Sequence, residues 1–324
     1  MNAELQCRIC CNDKGNKIHI AREMMFGLRD NFEYLECGQC GCVVIVSAPT
    51  DMSRYYPANY YSFGQISYKH HPLKIFLKKE LVKYKVFKQK SLLGKILSYK
   101  YREPEDFYAW VEKTGLKFDA AILDVGCGSG QLLLKLRRFG FATVSGIDPF
   151  IKQDIHYEGG VSIRKMSLDE INDKYDLVIF SHSFEHMPNQ KETLQKAYSL
   201  LRPGGCVLMR VPVAGTYAWK TYGVNWVQLD APRHFFLHTV ASMKLLASHV
   251  GFKRVDTVFD SWDFQFWGSE QYLQDIPLRD KRSYAESYDE SLFTKEQIQS
   301  FRDKAIALNK QNDGDAASFF LFND

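Results

Sequence analysis

The sequence predicts an α/β fold with a parallel sheet covered by helices on both faces, and three observations predict it. Ala121–Val125 is a short apolar run of the kind that buried parallel strands show, and glycines follow at alternate positions, Gly126, Gly128 and Gly130. A helical pattern comes next, with Leu132, Leu133 and Leu136 on one side and Lys135 and Arg137 on the other. From residue 118 onward, strand-like runs alternate with helical stretches, the order that a parallel sheet with right-handed crossovers requires.

In chain order, residues 1–46 read as a small zinc module. Cys7 and Cys10 sit on one turn, and Cys37 and Cys40 on another, after the strand-like Phe32–Leu35. Four thiolates on two such knuckles suit tetrahedral zinc, and with every position filled the metal would fold the module rather than do chemistry. Cys11 and Cys42 are spare thiols, and the gap between the pairs is longer than the common template.

Residues 47–103 read as a linker in two parts. Residues 50–71 hold Tyr55, Tyr56, Tyr60, Tyr61, Phe63 and Tyr68, with Pro57 breaking any helix. They pack across the core or wall a ligand pocket. Residues 72–101 are basic and amphipathic: Leu73, Phe76, Leu77, Leu81, Tyr84 and Phe87 follow a helical stripe, with an interruption expected at Gly94. Net charge is +4 overall, yet Lys69–Arg102 alone carries +10, eleven Lys/Arg against Glu80. Such a segment covers the core with a solvated face or lies on an anionic membrane surface.

Residues 104–324 carry the core. Pro104 opens a helix to Lys113, and candidate strands are 121–125, 142–147, 161–165, 175–180, 206–211, 252–259 and 316–322. A hydrophobic content of 45% suffices for a large core. Met1–Lys17 is polar, and no apolar run approaches the ~18 residues of a membrane span. With C-x2-C pairs that suit reduced thiolates, the expectation is a cytoplasmic protein.

Spacing chooses the ligand. A dinucleotide fingerprint, G-x-G-x-x-G, would need glycine where Gln131 stands. The form present, Asp124-x-Gly126-x-Gly128-x-Gly130, resembles motif I of class I S-adenosylmethionine-dependent methyltransferases. The resemblance implies that the glycine turn approaches the methionine and ribose of that cofactor. The next strand ends in Asp148, roughly 20 residues past the glycines, where a ribose-binding carboxylate belongs. Lys174–Asn189 resembles the family's fourth motif, which implies that backbone at Ser181 and His182 holds the methionine amino group. Ser167 and Leu168 match the adenine-contacting turn, although the acid often found there is replaced unless Asp169 serves. Leu201–Met209 matches the turn into the fifth strand. The fold implied is a Rossmann-like seven-stranded sheet over 104–324, its last two strands a reversed hairpin, behind a small N-terminal zinc module and a helical linker.

Methyl transfer is an in-line displacement, so much of the work is positioning. A hydroxyl acceptor also needs its proton removed, and a placed histidine is the usual base. His182, His186 and His234 are candidates. Asp230-Ala-Pro-Arg-His-Phe-Phe-Leu-His-Thr follows the fifth strand and resembles a motif in methyltransferases of bacterial polysaccharide and sugar biosynthesis, some of which also carry an N-terminal cysteine zinc module. Arg233 and His234 are expected to face an anionic, hydroxylated substrate, with His234 the base or else an anchor of its loop. His182, Glu185 and His186, on a helix expected from Ser183, suit a divalent ion that polarises a hydroxyl, or else orient the loop. His238 and His249 read as structural. Tyr217, Trp219, Tyr222 and Trp226, and again Trp262, Phe264, Phe266, Trp267 and Tyr272, read as aromatic lids or as core.

The leading expectation is methyl transfer from S-adenosylmethionine to a saccharide, a sugar nucleotide or a glycan, more readily on oxygen than on carbon. Ser181–Phe184 lacks the Asn/Asp-Pro-Pro-aromatic signature of enzymes that methylate base amines, so nucleic acid is not the expected partner. The alternatives are an RNA methyltransferase using the zinc module and basic helix, and a non-catalytic scaffold that keeps the cofactor fold.

Overall fold

The computed structural model describes residues 6–57, 64, 66–101 and 106–323. Tyr60, Tyr61, Phe63 and Pro104 lie outside the described residues. Three strands come first: β1 (Lys17–Arg22), β2 (Asn31–Glu36) and β3 (Val43–Ile45). Helices α1 (Pro72–Lys85), α2 (Leu92–Lys100) and α3 (Asp106–Thr114) follow. The alternating region holds β4 (Ala121–Val125), α4 (Gln131–Arg138), β5 (Thr143–Ile147), β6 (Ile155–Tyr157), β7 (Val161–Arg164), β8 (Tyr175–Ser181), α5 (Gln190–Ser199) and β9 (Leu201–Pro212). The chain continues through α6 (Tyr217–Tyr222), β10 (Phe236–Leu237), α7 (Val240–Val250), β11 (Arg254–Phe259), α8 (Phe264–Leu273), α9 (Lys295–Lys310) and β12 (Ala316–Phe322). All seven expected core strands form, and β6 is an eighth.

The chain divides into two compact units, and they do not split at the expected boundaries of 46 and 103. One takes the described residues of Asn59–Ser181, Thr193–Leu208 and Phe320–Asp324. Its strands run in the order β9, β8, β4, β5, β7, β6. The pairs β4–β5, β4–β8 and β5–β7 are parallel, while β6 closes the edge antiparallel to β7. Every residue of β4 is buried, as a strand covered on both faces demands. The core beneath joins Leu133 and Leu136 of α4 to Phe107, Phe139, Phe141 and Phe320.

The linker helices differ from expectation. The break falls at Val86–Ser91, not at Gly94, which lies buried inside α2. A Cβ on Gly94 would stand 2.2 Å from the Glu80 carbonyl oxygen, so the glycine is there to let two helices approach. Ser91 caps α2 by accepting from the Gly94 N–H. Only part of the apolar stripe is used: Leu81 is buried, while Leu73 and Phe76 face solvent.

The other unit takes the described residues of Met1–Ala58, His182–Glu192 and Met209–Phe319. It holds a small sheet in the order β1, β2, β3, β10, so β3, which follows the second cysteine pair, pairs with a segment some 190 residues away. It also holds β11, residues 316–319 of β12 and the C-terminal end of β9, in that order. Trp219, Tyr222 and Trp226 are buried in its core with Tyr34, Phe266 and Leu237. These residues are therefore packing rather than a lid; Trp262, by contrast, is exposed. Helix α7 begins in a capping box between Thr239 and Ser242 and ends at Gly251, whose φ of +114° suits glycine alone.

Candidate functional site

The glycine turn follows β4 directly. Gly126, Gly128 and Gly130 have φ of +72°, +53° and +81°, conformations that side chains rarely adopt. A Cβ on Gly130 would meet Ile163 Cδ1 at 2.4 Å. The Gly128 N–H donates to Asp148 Oδ2 at 2.9 Å and the Phe150 N–H to Oδ1 at 2.8 Å. These bonds lock the Asp148 carboxylate at the end of β5 and leave each oxygen a lone pair for a ligand hydroxyl. Asp148 and Asp124 are both buried. Burial, and then the Asp148 charge, push Asp124 up to about 8. Burial also raises Asp148, against the pull of the Phe150 and Gly128 N–H groups. Two desolvated acids behind a Cβ-free turn suit a hydroxylated ligand that carries positive charge. Ser167 and Leu168 begin the turn after β7, where both the N–H and the hydroxyl of Ser167 donate to Glu170. Ser181 ends β8, half-buried.

In the other unit, Cys7, Cys10, Cys37 and Cys40 converge, with their sulfurs within 4.8 Å of one another. The Cys7–Cys40 and Cys10–Cys37 separations are 3.7 and 3.4 Å. Four sulfurs about 2.3 Å from a tetrahedral zinc lie about 3.8 Å apart, so the donor set fits. The N–H groups of Ile9, Gln39 and Cys40 point at Cys7 and Cys37, as donors to thiolates do. Cys42 is buried and Cys11 exposed, both outside the cluster.

The histidines assemble differently from the expected set. Phe184–His186 is a single 3-10 turn rather than the start of a helix. His182 stands at φ +54°, is exposed, and its Nδ1 is 3.7 Å from Glu185 Oε1. Glu185, His186 and His234 instead lie together, each with a donor atom within 4.8 Å of the others. The two imidazoles are edge to face, 4.6 Å between centroids. His186 Nδ1 donates to the Arg233 carbonyl at 2.9 Å, with the Tyr56 hydroxyl 3.1 Å from the same nitrogen, and His234 Nδ1 donates to the Gln228 carbonyl at 2.8 Å. A carbonyl only accepts, so in its neutral form each ring carries its proton on Nδ1 and a lone pair on Nε2. Burial, and then His234, lower His186 to about 4, which keeps it neutral. Burial raises Glu185, but the facing imidazoles of His182, His186 and His234, wherever protonated, outweigh it and hold its carboxyl below the usual range.

Arg233 does not face a substrate. It is fully buried, pairing with Glu23 at 3.0 Å and with Asp230 at 2.5 Å. It also donates to the Tyr55 carbonyl, while Tyr34 donates to the His234 carbonyl at 2.9 Å. The arginine therefore positions the Asp230–His234 loop. Glu23, Tyr34 and Tyr55 were not singled out for this role, because no local pattern marks a partner some 200 residues distant. Asp230 Oδ2 lies 3.8 Å from His234 Nε2. His238 is buried between Ser242 and Gln190, a structural histidine.

Residues 97–257 match the model of a family described as Methyltransferase domain. The ubiquinone biosynthesis O-methyltransferase of Aeromonas salmonicida is 36% identical over 140 residues, 38% of this chain and 58% of that protein. Its counterpart in Pseudomonas savastanoi pv. phaseolicola is 31% identical over 140 residues, 38% of this chain and 59% of its own. The chain thus spans under two thirds of the length of these curated relatives. A SAM-dependent methyltransferase structure from Archaeoglobus fulgidus aligns with 70% of this chain and 97% of its own, at 19% identity and a TM-score of 0.40. One from Mesorhizobium loti covers 67% and 97%, at 16% identity and a TM-score of 0.39.

Proposed function

We propose that this chain, whose residues 97–257 match a methyltransferase-domain family, is a class I S-adenosylmethionine-dependent methyltransferase that moves a methyl group from that cofactor to a hydroxyl oxygen of a saccharide, either a sugar nucleotide or a glycan. When bound, S-adenosylmethionine supplies an electrophilic methyl group on a sulfonium. Asp148 would accept from the ribose hydroxyls, and the bare backbone of Gly126–Gly130 would admit the cofactor closely. The observation that carries the acceptor reading is the buried His234 ring, with Nδ1 tied to a carbonyl and Nε2 open. That nitrogen can take the hydroxyl's proton, and the charged ring would be stabilised by Asp230 at 3.8 Å and by buried Glu185. The relatives' names support oxygen as the acceptor atom. The saccharide rests on the resemblance of Asp230–Thr239 to sugar-biosynthesis methyltransferases. We read the four thiolates as a structural zinc site.

The test is transfer of labelled methyl from S-adenosylmethionine into separated sugar-nucleotide, glycan, phenol and RNA pools. Label in a saccharide is expected, slowed at least ~100-fold by His234→Ala with cofactor affinity kept. Label in RNA or a phenol alone would overturn the saccharide, and label nowhere would overturn the activity.

A further inference from the structure

The trio of Glu185, His186 and His234 has a feature that the proton-transfer reading does not use. Glu185 is 1% exposed, and neither of its carboxylate oxygens has a hydrogen-bond partner. His182 Nδ1 stays 3.7 Å from Oε1, beyond a hydrogen bond. Beside it, the neutral forms of His186 and His234 each keep the ring proton on Nδ1 against a backbone carbonyl, at His186 with the Tyr56 hydroxyl 3.1 Å from the same nitrogen, and so carry a lone pair on Nε2. A buried acceptor-only carboxylate and two imidazoles are thus gathered, with one possible ligand atom of each within 4.8 Å of the others. Acceptors do not satisfy one another, and a desolvated carboxylate needs a counter-charge. A proton on Glu185 would satisfy one of the two imidazoles and leave the other without a donor. A cation satisfies all three at once.

We propose that Glu185, His186 and His234 bind a divalent first-row transition ion. Two imidazoles and one carboxylate suit zinc, cobalt, nickel, iron or manganese better than magnesium or calcium, which prefer all-oxygen shells. Bonds from Nδ1–H to backbone carbonyls are the support that metal-ligating histidines receive, because they fix the tautomer and aim the other nitrogen. Three protein ligands leave positions open, unlike the closed four-cysteine cluster. His182, expected from the sequence as a ligand, is exposed and lies outside the trio, and His234 takes its place. For its purpose the inference rests on the methyl-transfer reading: an ion here would hold an acceptor oxygen and acidify its hydroxyl, with His234 a ligand rather than the base.

The test uses untagged, full-length protein with zinc on its cysteines, titrated with cobalt(II) while heat and visible absorption are followed. One equivalent should bind with weak ligand-field bands and no thiolate charge transfer. Glu185→Gln and His234→Asn should each weaken binding at least ~100-fold, and His182→Ala should leave it unchanged. Circular dichroism melts separate lost ligation from lost folding, and Glu185→Asp should keep partial affinity if the first variant does not fold. Cofactor calorimetry on the same samples keeps the two readings apart: intact cofactor binding without cobalt binding overturns the ion site alone. Thiolate bands, no bound equivalent, or full affinity in folded Glu185→Gln would each overturn the proposal.

Discussion

Replacing Asp124 with asparagine should stabilise the protein by an amount that grows with pH. Asp124 is raised from 3.8 to about 8, first by burial and then by Asp148. The folded-state value lies above the unfolded one, so between those pH values the unfolded chain has released a proton that the folded chain keeps. Folding stability therefore falls as pH rises through this window, by ~1.4 kcal/mol per unit. At pH 7 the cost is about 4 kcal/mol, an upper bound because real interiors respond more strongly than a dry medium. Asparagine resembles the neutral carboxylic acid and does not titrate. Urea unfolding followed by tryptophan fluorescence, on wild type and Asp124→Asn at half-unit steps from pH 4.5 to 7.5, reads the difference directly. The gap should widen steadily with pH; a gap that stays constant would refute the raised pKa. A cationic ligand should reverse the effect by drawing the proton off. Calorimetry in buffers of different ionisation heat should then show proton release on S-adenosylmethionine binding near pH 7, and less of it in the variant.

Three further outcomes are expected. Arg233→Met leaves buried Glu23 and half-buried Asp230 without their cation, and should cost ~3–5 kcal/mol in denaturant unfolding. Purified protein should contain at least one zinc per chain by elemental analysis, and Cys37→Ser should lose one equivalent together with part of the thermal transition. The α2 face of Leu92, Ile96 and Tyr99 is exposed at i, i+4 and i+7 beside Lys95 and Lys100, so the chain should co-sediment with anionic vesicles but not neutral ones. Leu92→Ser with Ile96→Ser should reduce that binding, and equal sedimentation of both proteins would rule this face out.

Much of this was legible because it is local. The turn at Gly126–Gly130 needs residues without Cβ whatever surrounds it, and the buried run of β4 and the amphipathic α4 carry their own periods. Two C-x2-C knuckles likewise name their shared chemistry by spacing alone. The position of Gly94 was misread because a glycine that breaks a helix and one that lets two helices touch look identical in one dimension. The role of Arg233 was misread for a similar reason: charge suggests a ligand until Glu23 and Asp230 are seen to enclose it.

By itself, then, the sequence determined the order of strands and helices, the glycine cradle with its acid at Asp148, and the cysteine pairs, since each follows from steric and hydrophobic rules acting over a few residues. Only the tertiary structure decided that His234 rather than His182 joins Glu185 and His186, and that Glu23 and Tyr34, far away in the sequence, hold the Asp230–His234 loop. Those choices depend on which distant groups are desolvated together, and the free energy of a buried charge or lone pair is set by neighbours that no local pattern names.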